Sequence, residues 1–112
     1  MKNLRNSVQL IGNLGRDPEL KVYDKYKKAT FSVATTDSYK NNKGEMVKDT
    51  QWHNVIAWGK LAEVASKYLR KGSQVAIEGK LVHRAFDTGK GEKKYYTEIN
   101  ANDLLMLGGK PQ

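Results

Sequence analysis

The sequence contains no cysteine. That excludes disulfides, thiolate catalysis, iron–sulfur clusters and Cys-based zinc sites. Its two histidines, His53 and His83, are too few for a His-rich metal cage. No apolar run exceeds the four residues of Leu104–Leu107, so no segment reads as a transmembrane helix. The start, Met1-Lys2-Asn3-Leu4-Arg5-Asn6-Ser7, has no apolar core of the kind a secretory leader carries. Acidic residues are also scarce. Lys and Arg number 20 against 12 for Asp and Glu, leaving a net charge of +8 over 112 residues. A chain of this length suits one domain, and 38% hydrophobic residues with ten aromatics are too many for a disordered basic tail. These features predict a folded, intracellular protein with a polyanionic partner and no membrane association.

Most of the chain alternates at period two. Ala29, Phe31, Val33 and Thr35 alternate with Thr30, Ser32, Ala34 and Thr36. Val75, Ile77, Gly79 and Leu81 do the same within Gln74 to Val82. Such segments are strands with one face toward a core. Further strands are expected at Val8–Ile11, Thr50–Trp58 and Tyr95–Ala101, with a short one possible near Leu20–Tyr23. The parity of Thr50–Trp58 leaves its core side open. Gly12, Gly15 and Gly79 lie where a barrel would use bulges and tight bends. Leu61, Val64, Ala65, Tyr68 and Leu69 follow a helical stripe, predicting one helix from about Lys60 to Lys71 with Gly72 as its C-terminal cap. The order of three strands, a helix and two strands points to an all-β fold with one helix, the five-stranded Greek-key OB-fold barrel. Polar connections at 23–28, 37–44 and 87–92 would form its hairpins. Other barrels with one helix share this order.

Aromatic and basic side chains occur together. Lys80, Arg84 and Phe86 occupy the outward parity of their strand, and Trp52 and Trp58 share one parity of theirs. Each polar connection pairs rings with lysines: Tyr23 and Tyr26 with Lys25, Lys27 and Lys28; Tyr39 with Lys40 and Lys43; Phe86 with Lys90, Lys93 and Lys94. Single-stranded nucleic acid needs this combination. Cations neutralise phosphates, and rings stack on bases that no partner strand covers. The competing reading is that the tryptophans are core and the lysines a solvated surface. It suits any one residue better than it suits the set. The carboxylates lack D-x-D or E-x-x-H spacing, no serine sits in G-x-S-x-G, and Gly89-Lys90-Gly91 lacks the rest of a phosphate loop. No catalytic residue, metal site or cofactor is predicted.

Several blocks, in order, resemble the bacterial single-stranded DNA-binding proteins. They are Val8-Gln9-Leu10-Ile11-Gly12-Asn13-Leu14-Gly15-Arg16-Asp17-Pro18-Glu19, Thr50-Gln51-Trp52-His53-Asn54-Val55, Trp58-Gly59-Lys60-Leu61-Ala62-Glu63-Val64-Ala65, Tyr68 to Val75, Ile77-Glu78-Gly79-Lys80-Leu81 and Leu105-Met106-Leu107-Gly108. The resemblance spans nearly the whole chain. It implies an OB-fold domain over residues 1–107, with 108–112 a short flexible end. It also implies a homotetramer, built as a dimer of dimers, that wraps single-stranded DNA without sequence preference in replication, recombination and repair, in the nucleoid of the cytoplasm. By position, Trp52 is a stacking ring. Tyr39, Trp58 and Phe86 stand where the family has other aromatics. Lys43, Lys60, Arg70, Lys71 and Arg84 match basic positions on the DNA path. Ser7, Val8, Gln9 and Leu10 match the strand that pairs across a dimer axis, and His53 an interface histidine. Ser7, Asn54 and Ala85 stand where many members carry a basic residue, which would shift contacts to Arg5, Lys27 and Lys28. The sequence stops at Gln112 without the family's acidic tail, so tail-mediated protein partners are not expected. Three alternatives remain: a tail-less, dimeric replication-restart accessory protein, an RNA-binding module and a small metal-dependent nuclease.

Overall fold

In the computed structural model, residues 4–107 are described; the expected flexible end at 108–112 lies outside them. Six strands and one helix follow in order: β1 Val8–Leu14, β2 Glu19–Val22, β3 Lys27–Lys40, β4 Met46–Trp58, α1 Lys60–Tyr68, β5 Gln74–Asp87 and β6 Lys93–Leu107. They form one sheet in the order β1-β5-β6-β4-β3-β2. A further pairing of β1 with β3, at Asn13 opposite Ala34 and Leu14 opposite Val33, closes five of the strands into a barrel. β4 and β6 run parallel; the other neighbours are antiparallel. This is the Greek-key OB-fold. The short strand expected near Leu20 is β2, which lies along β3 outside the closed ring.

The core follows from the period-two pattern. Ala29, Phe31 and Val33 of β3, Val55 and Ala57 of β4, Val75 and Ile77 of β5 and Ile99 of β6 are buried, and Ala62 and Ala65 of α1 pack against them. Burying each large side chain contributes roughly 1.5–3 kcal/mol. Ile56 is also fully buried, although its parity is outward; Thr30 and Asn100 flank it on the adjacent strands. Apolar residues on both faces explain why the parity of this strand could not be read from the sequence.

Several boundaries differ from expectation. The helix ends at Tyr68, not Lys71, and its C-cap is Leu69 in extended conformation. Leu69 is fully buried, so its side chain leaves the helix to enter the core. Gly72 is therefore not the helix cap. It lies in the following turn, with φ of 89°, where Ser73 N–H donates to the Arg70 carbonyl at 2.9 Å. The connection expected at 37–44 is shorter, because β3 continues to Lys40 and β4 starts at Met46. β6 is longer than Tyr95–Ala101 at both ends. The register shifts between Glu78 and Gly79, which face Asp103 and Ala101, leaving Asn102 as the extra residue of a β-bulge.

Candidate nucleic-acid interface

Residues directly opposite one another in a sheet point to the same side. The register therefore defines one continuous outward face. Ala34 opposes Trp52, Ser32 opposes Asn54 and Lys28 opposes Trp58 on β3 and β4. Asn54 neighbours Glu98, and Ile56 neighbours Asn100, across β4 and β6. Lys80 opposes Asn100, Arg84 opposes Tyr96 and Phe86 opposes Lys94 on β5 and β6. Trp52, Trp58, Phe86 and Tyr96 thus share a face with Lys28, Lys80, Arg84 and Lys94. All four rings are exposed, Trp52 at 62%. Trp52 and Trp58 are six residues apart on one strand, a separation of about 20 Å.

Each ring is held from beneath or beside. The backbone of Gly15 lies against the six-membered ring of Trp52. A Cβ built at residue 15 would overlap Trp52 Cζ3 and stand 2.9 Å from Cη2. The N–H of Gly15 donates to the Ser32 carbonyl at 3.1 Å, fixing this support to β3. Phe86 packs edge-on against Tyr96 with centroids 5.1 Å apart. Lys28 Nζ stands 5.5 Å from the centroid of Trp58, a cation–π contact. Arg84 Nε donates to Glu98 Oε1 at 2.6 Å, which fixes the guanidinium on this face.

The remaining sequence-selected residues fall elsewhere. Tyr39 opposes Val47 and belongs to the other side of the β3–β4 hairpin, where it is 54% exposed. Lys43 sits at that hairpin's tip, where Asn41 Oδ1 accepts from the N–H groups of Lys43 and Glu45. Lys60 is the first residue of α1. Arg70 and Lys71 lie in the turn between α1 and β5, outside the register of the ring-bearing face. There Arg70 Nη1 donates to the carbonyls of Ser66 and Leu69, satisfying the end of the helix, and Lys71 N–H donates to Asp17 Oδ1 at 2.7 Å. Lys27 forms an ion pair with Glu63 of α1. The hydrogen bond from Lys27, then its charge, then Lys60 hold the Glu63 carboxyl below its ordinary range.

Ser7 precedes β1, and Val8, Gln9 and Leu10 pair with Gly79, Glu78 and Ile77 of β5 along one edge only. Among the described residues, their other edge has no strand beside it, because β3 is reached only at Asn13 and Leu14. His53 is not on β1; its Nε2 is 3.0 Å from Thr35 Oγ1 within the β3–β4 hairpin. The outward side of β1, β5 and β6 forms an open groove of about 540 Å³ lined by Gln9, Ile11, Ala76, Glu78, Asp103 and Leu105 among others.

Sequence reasoning missed Tyr96 and the contact of Tyr26 with Trp58, at 5.5 Å between centroids. Counting parity back from the core residue Ile99 would have placed Tyr96 outward. The Tyr26 contact depends on a register that no single segment displays. Among the described residues, no group of three His, Cys, Asp or Glu could hold a metal ion. No helix among them is long and apolar enough to cross a membrane.

The sequence matches the model of the Single-strand binding protein family over residues 5–107. It is 47% identical over 107 residues to Single-stranded DNA-binding protein 1 of Chlorobaculum tepidum, covering 94% of this chain and 66% of that protein. Identity is 45% over 107 residues to Single-stranded DNA-binding protein 1 of Xylella fastidiosa, covering 94% of this chain and 79% of the relative. It is also 45% to the Single-stranded DNA-binding protein of Xanthomonas campestris pv. campestris, of which the chain spans 62%. Among solved structures, the fold superposes on the Plasmodium falciparum SSB complex with ssDNA with a TM-score of 0.84 and 33% identity. That match covers 96% of this chain and 99% of the other.

Proposed function

The chain belongs to the single-strand binding protein family, and from that premise we propose that it binds single-stranded DNA without sequence preference and performs no catalytic step. The observation that carries this reading is the shared face on which Trp52, Trp58, Phe86 and Tyr96 stand among Lys28, Lys80, Arg84 and Lys94. Rings accept any base, because every base has a π-face. Cations on the same face neutralise the phosphates between successive bases. Duplex DNA hides the faces that the rings need.

Trp52, Trp58 and Phe86 are the stacking rings in this reading. Arg84 and Lys60 hold phosphates near the barrel, and Tyr39 and Lys43 meet a strand that passes along the β3–β4 hairpin. Arg70 and Lys71 engage DNA where it leaves the sheet. Residues 1–107 act as one domain. Ser7 to Leu10 pair through their open edge with the same segment of a second copy, and His53 lies at the resulting contact. Two such dimers join through the groove beside Ile11 and Leu105 into a tetramer around which the strand wraps. The protein then protects and organises single strands in replication, recombination and repair within the bacterial cytoplasm.

Titration with oligo-dT while following tryptophan emission tests the reading. Emission should be quenched, Trp52→Ala should weaken binding, and duplex DNA of equal length should compete poorly. Unchanged emission at saturating oligo-dT, or equal competition by duplex, overturns it. Light scattering tests the assembly: the mass should be that of four copies, whereas two would favour a replication-restart accessory protein.

A further inference from the structure

The turn between β2 and β3 carries a feature that the ring-bearing face does not account for. Tyr23 and Tyr26 lie with ring centroids 4.6 Å apart at 31°, and Tyr26 continues onto Trp58 at 5.5 Å. Three rings thus run in contact from the end of β4 to the tip of the turn. Both tyrosines are exposed, at 41% and 49%. Ring–ring contact contributes about 0.5–1.5 kcal/mol to the turn, yet it leaves much of each tyrosine in solvent, open to a stacking ligand.

The turn is also fixed in place. Tyr23 N–H donates to the Tyr26 carbonyl at 2.8 Å, closing it, and Gly59 N–H donates to the Lys27 carbonyl at 2.8 Å, tying it to the end of β4. Lys27 pairs with Glu63 of the helix. The rings are therefore held before any ligand arrives, which lowers the ordering cost of binding. Charge complements the rings: Lys25 lies within the turn, and Lys28 reaches over Trp58. Val22, Tyr23, Asp24, Lys25 and Tyr26 line an open surface cleft of about 520 Å³.

We propose that Tyr23 and Tyr26 form a further nucleobase-stacking site that extends the Trp58 end of the DNA path by at least one base, with Lys25 and Lys28 holding its phosphates. The proposal rests on the single-stranded DNA reading above. It adds a site on the β2–β3 turn, whose rings only the fold brings to Trp58.

Two variants and one measurement on the unaltered protein test it. The double variant Tyr23→Leu/Tyr26→Leu keeps apolar bulk and charge but removes the π-faces; Tyr23→Phe/Tyr26→Phe keeps the faces and removes the hydroxyls. Affinity is measured for a graded series of dT oligomers. The leucine variant should lose roughly 5- to 140-fold on the longer oligomers, the range for one stacked base. Its affinity should also stop rising at a shorter length, while the phenylalanine variant matches the unaltered protein. Photocrosslinking of dT containing 5-iodouracil to the unaltered protein should yield a crosslinked peptide spanning residues 23–28. Equal affinity of the leucine variant at every length, or crosslinks confined to the β4 and β5 rings, overturns the proposal and leaves the single-stranded DNA reading intact. Failure of the unaltered protein to bind dT removes both.

Discussion

Replacing Gly15 with alanine puts a methyl group where the Trp52 ring now rests. The new Cβ would overlap Trp52 Cζ3 and approach Ser32 Oγ to 3.1 Å. A ring carbon cannot yield as a flexible side-chain end can, so the indole must swing away. The fold itself loses little. Gly15 is not among the glycines with positive φ, and its N–H bond to Ser32 survives the change. Moving Trp52 off its rotamer costs about 0.5–1.5 kcal/mol. Reduced freedom of the unfolded chain returns about 0.4–1 kcal/mol. The net change in stability should stay within about 1 kcal/mol. Binding should suffer more, because a misplaced Trp52 forfeits about 1–3 kcal/mol of stacking, roughly 5- to 140-fold in Kd. The assay is a double-mutant cycle with Trp52→Ala, read by fluorescence anisotropy of labelled oligo-dT, with urea unfolding as the control for stability. If residue 15 acts through Trp52, Gly15→Ala should have little further effect once Trp52 is gone. Full-strength binding by Gly15→Ala refutes the reasoning. So does an equal loss in the presence and absence of Trp52.

Other outcomes follow from the same geometry. Lys60→Gln should lower the slope of log K against log salt by about 0.7, the increment for one phosphate contact on a single strand; an unchanged slope removes Lys60 from the DNA path. Phe31→Ala, which empties a fully buried site, should destabilise the protein by about 3–5 kcal/mol in urea unfolding. Glu63 has a folded pKa below its ordinary 4.5, so the folded state binds fewer protons there than the unfolded chain. Its stabilising effect is therefore present above pH 4.5 and is lost as pH falls through the lower folded value. Glu63→Gln should flatten this part of the stability–pH curve, and an unaltered curve would show the Lys27 pair to be inconsequential. Ile11→Lys, on the exposed side of β1, should halve the mass seen by light scattering if two dimers meet there.

The parts of the fold legible in the sequence are those where one face is dry and the other wet. β3 around Phe31 and β5 around Val75 and Ile77 alternate cleanly for that reason, and α1 displays its stripe because only one side meets the barrel. Where both sides are wet, the signal fades. Asp37–Lys40 falls within the expected connection although it is strand held by cross-strand bonds alone, and Met46–Asp49 shows no strand pattern in the sequence. Where both sides are dry, parity is lost, as at Val55, Ile56 and Ala57. At Leu104–Leu107 β6 is apolar on both faces, with Leu104 against the core and Leu105 and Met106 exposed, so it looks like an apolar run instead of the end of a strand. The site divides the same way. Arg84 and Phe86 stand on the outward parity of their strand, whereas Trp52 and Trp58 share a parity whose side the sequence leaves open. Their support by Gly15, the placement of Tyr39 on the opposite pleat and the approach of Tyr26 to Trp58 depend on distant segments that only closure of the barrel brings together.

The two long hairpins extend past the barrel with nearly every side chain in solvent, from Asp37 to Thr50 and from His83 to Thr97. Their amide protons should exchange well before those of the barrel, since little apolar contact opposes local opening. Each hairpin can thus bend or fray while the domain stays native. A polynucleotide lying across them would stiffen them, and the entropy lost there would oppose binding. Grip on long strands and speed of letting go are then set partly by how floppy these extensions are, a property that substitutions remote from any base could tune.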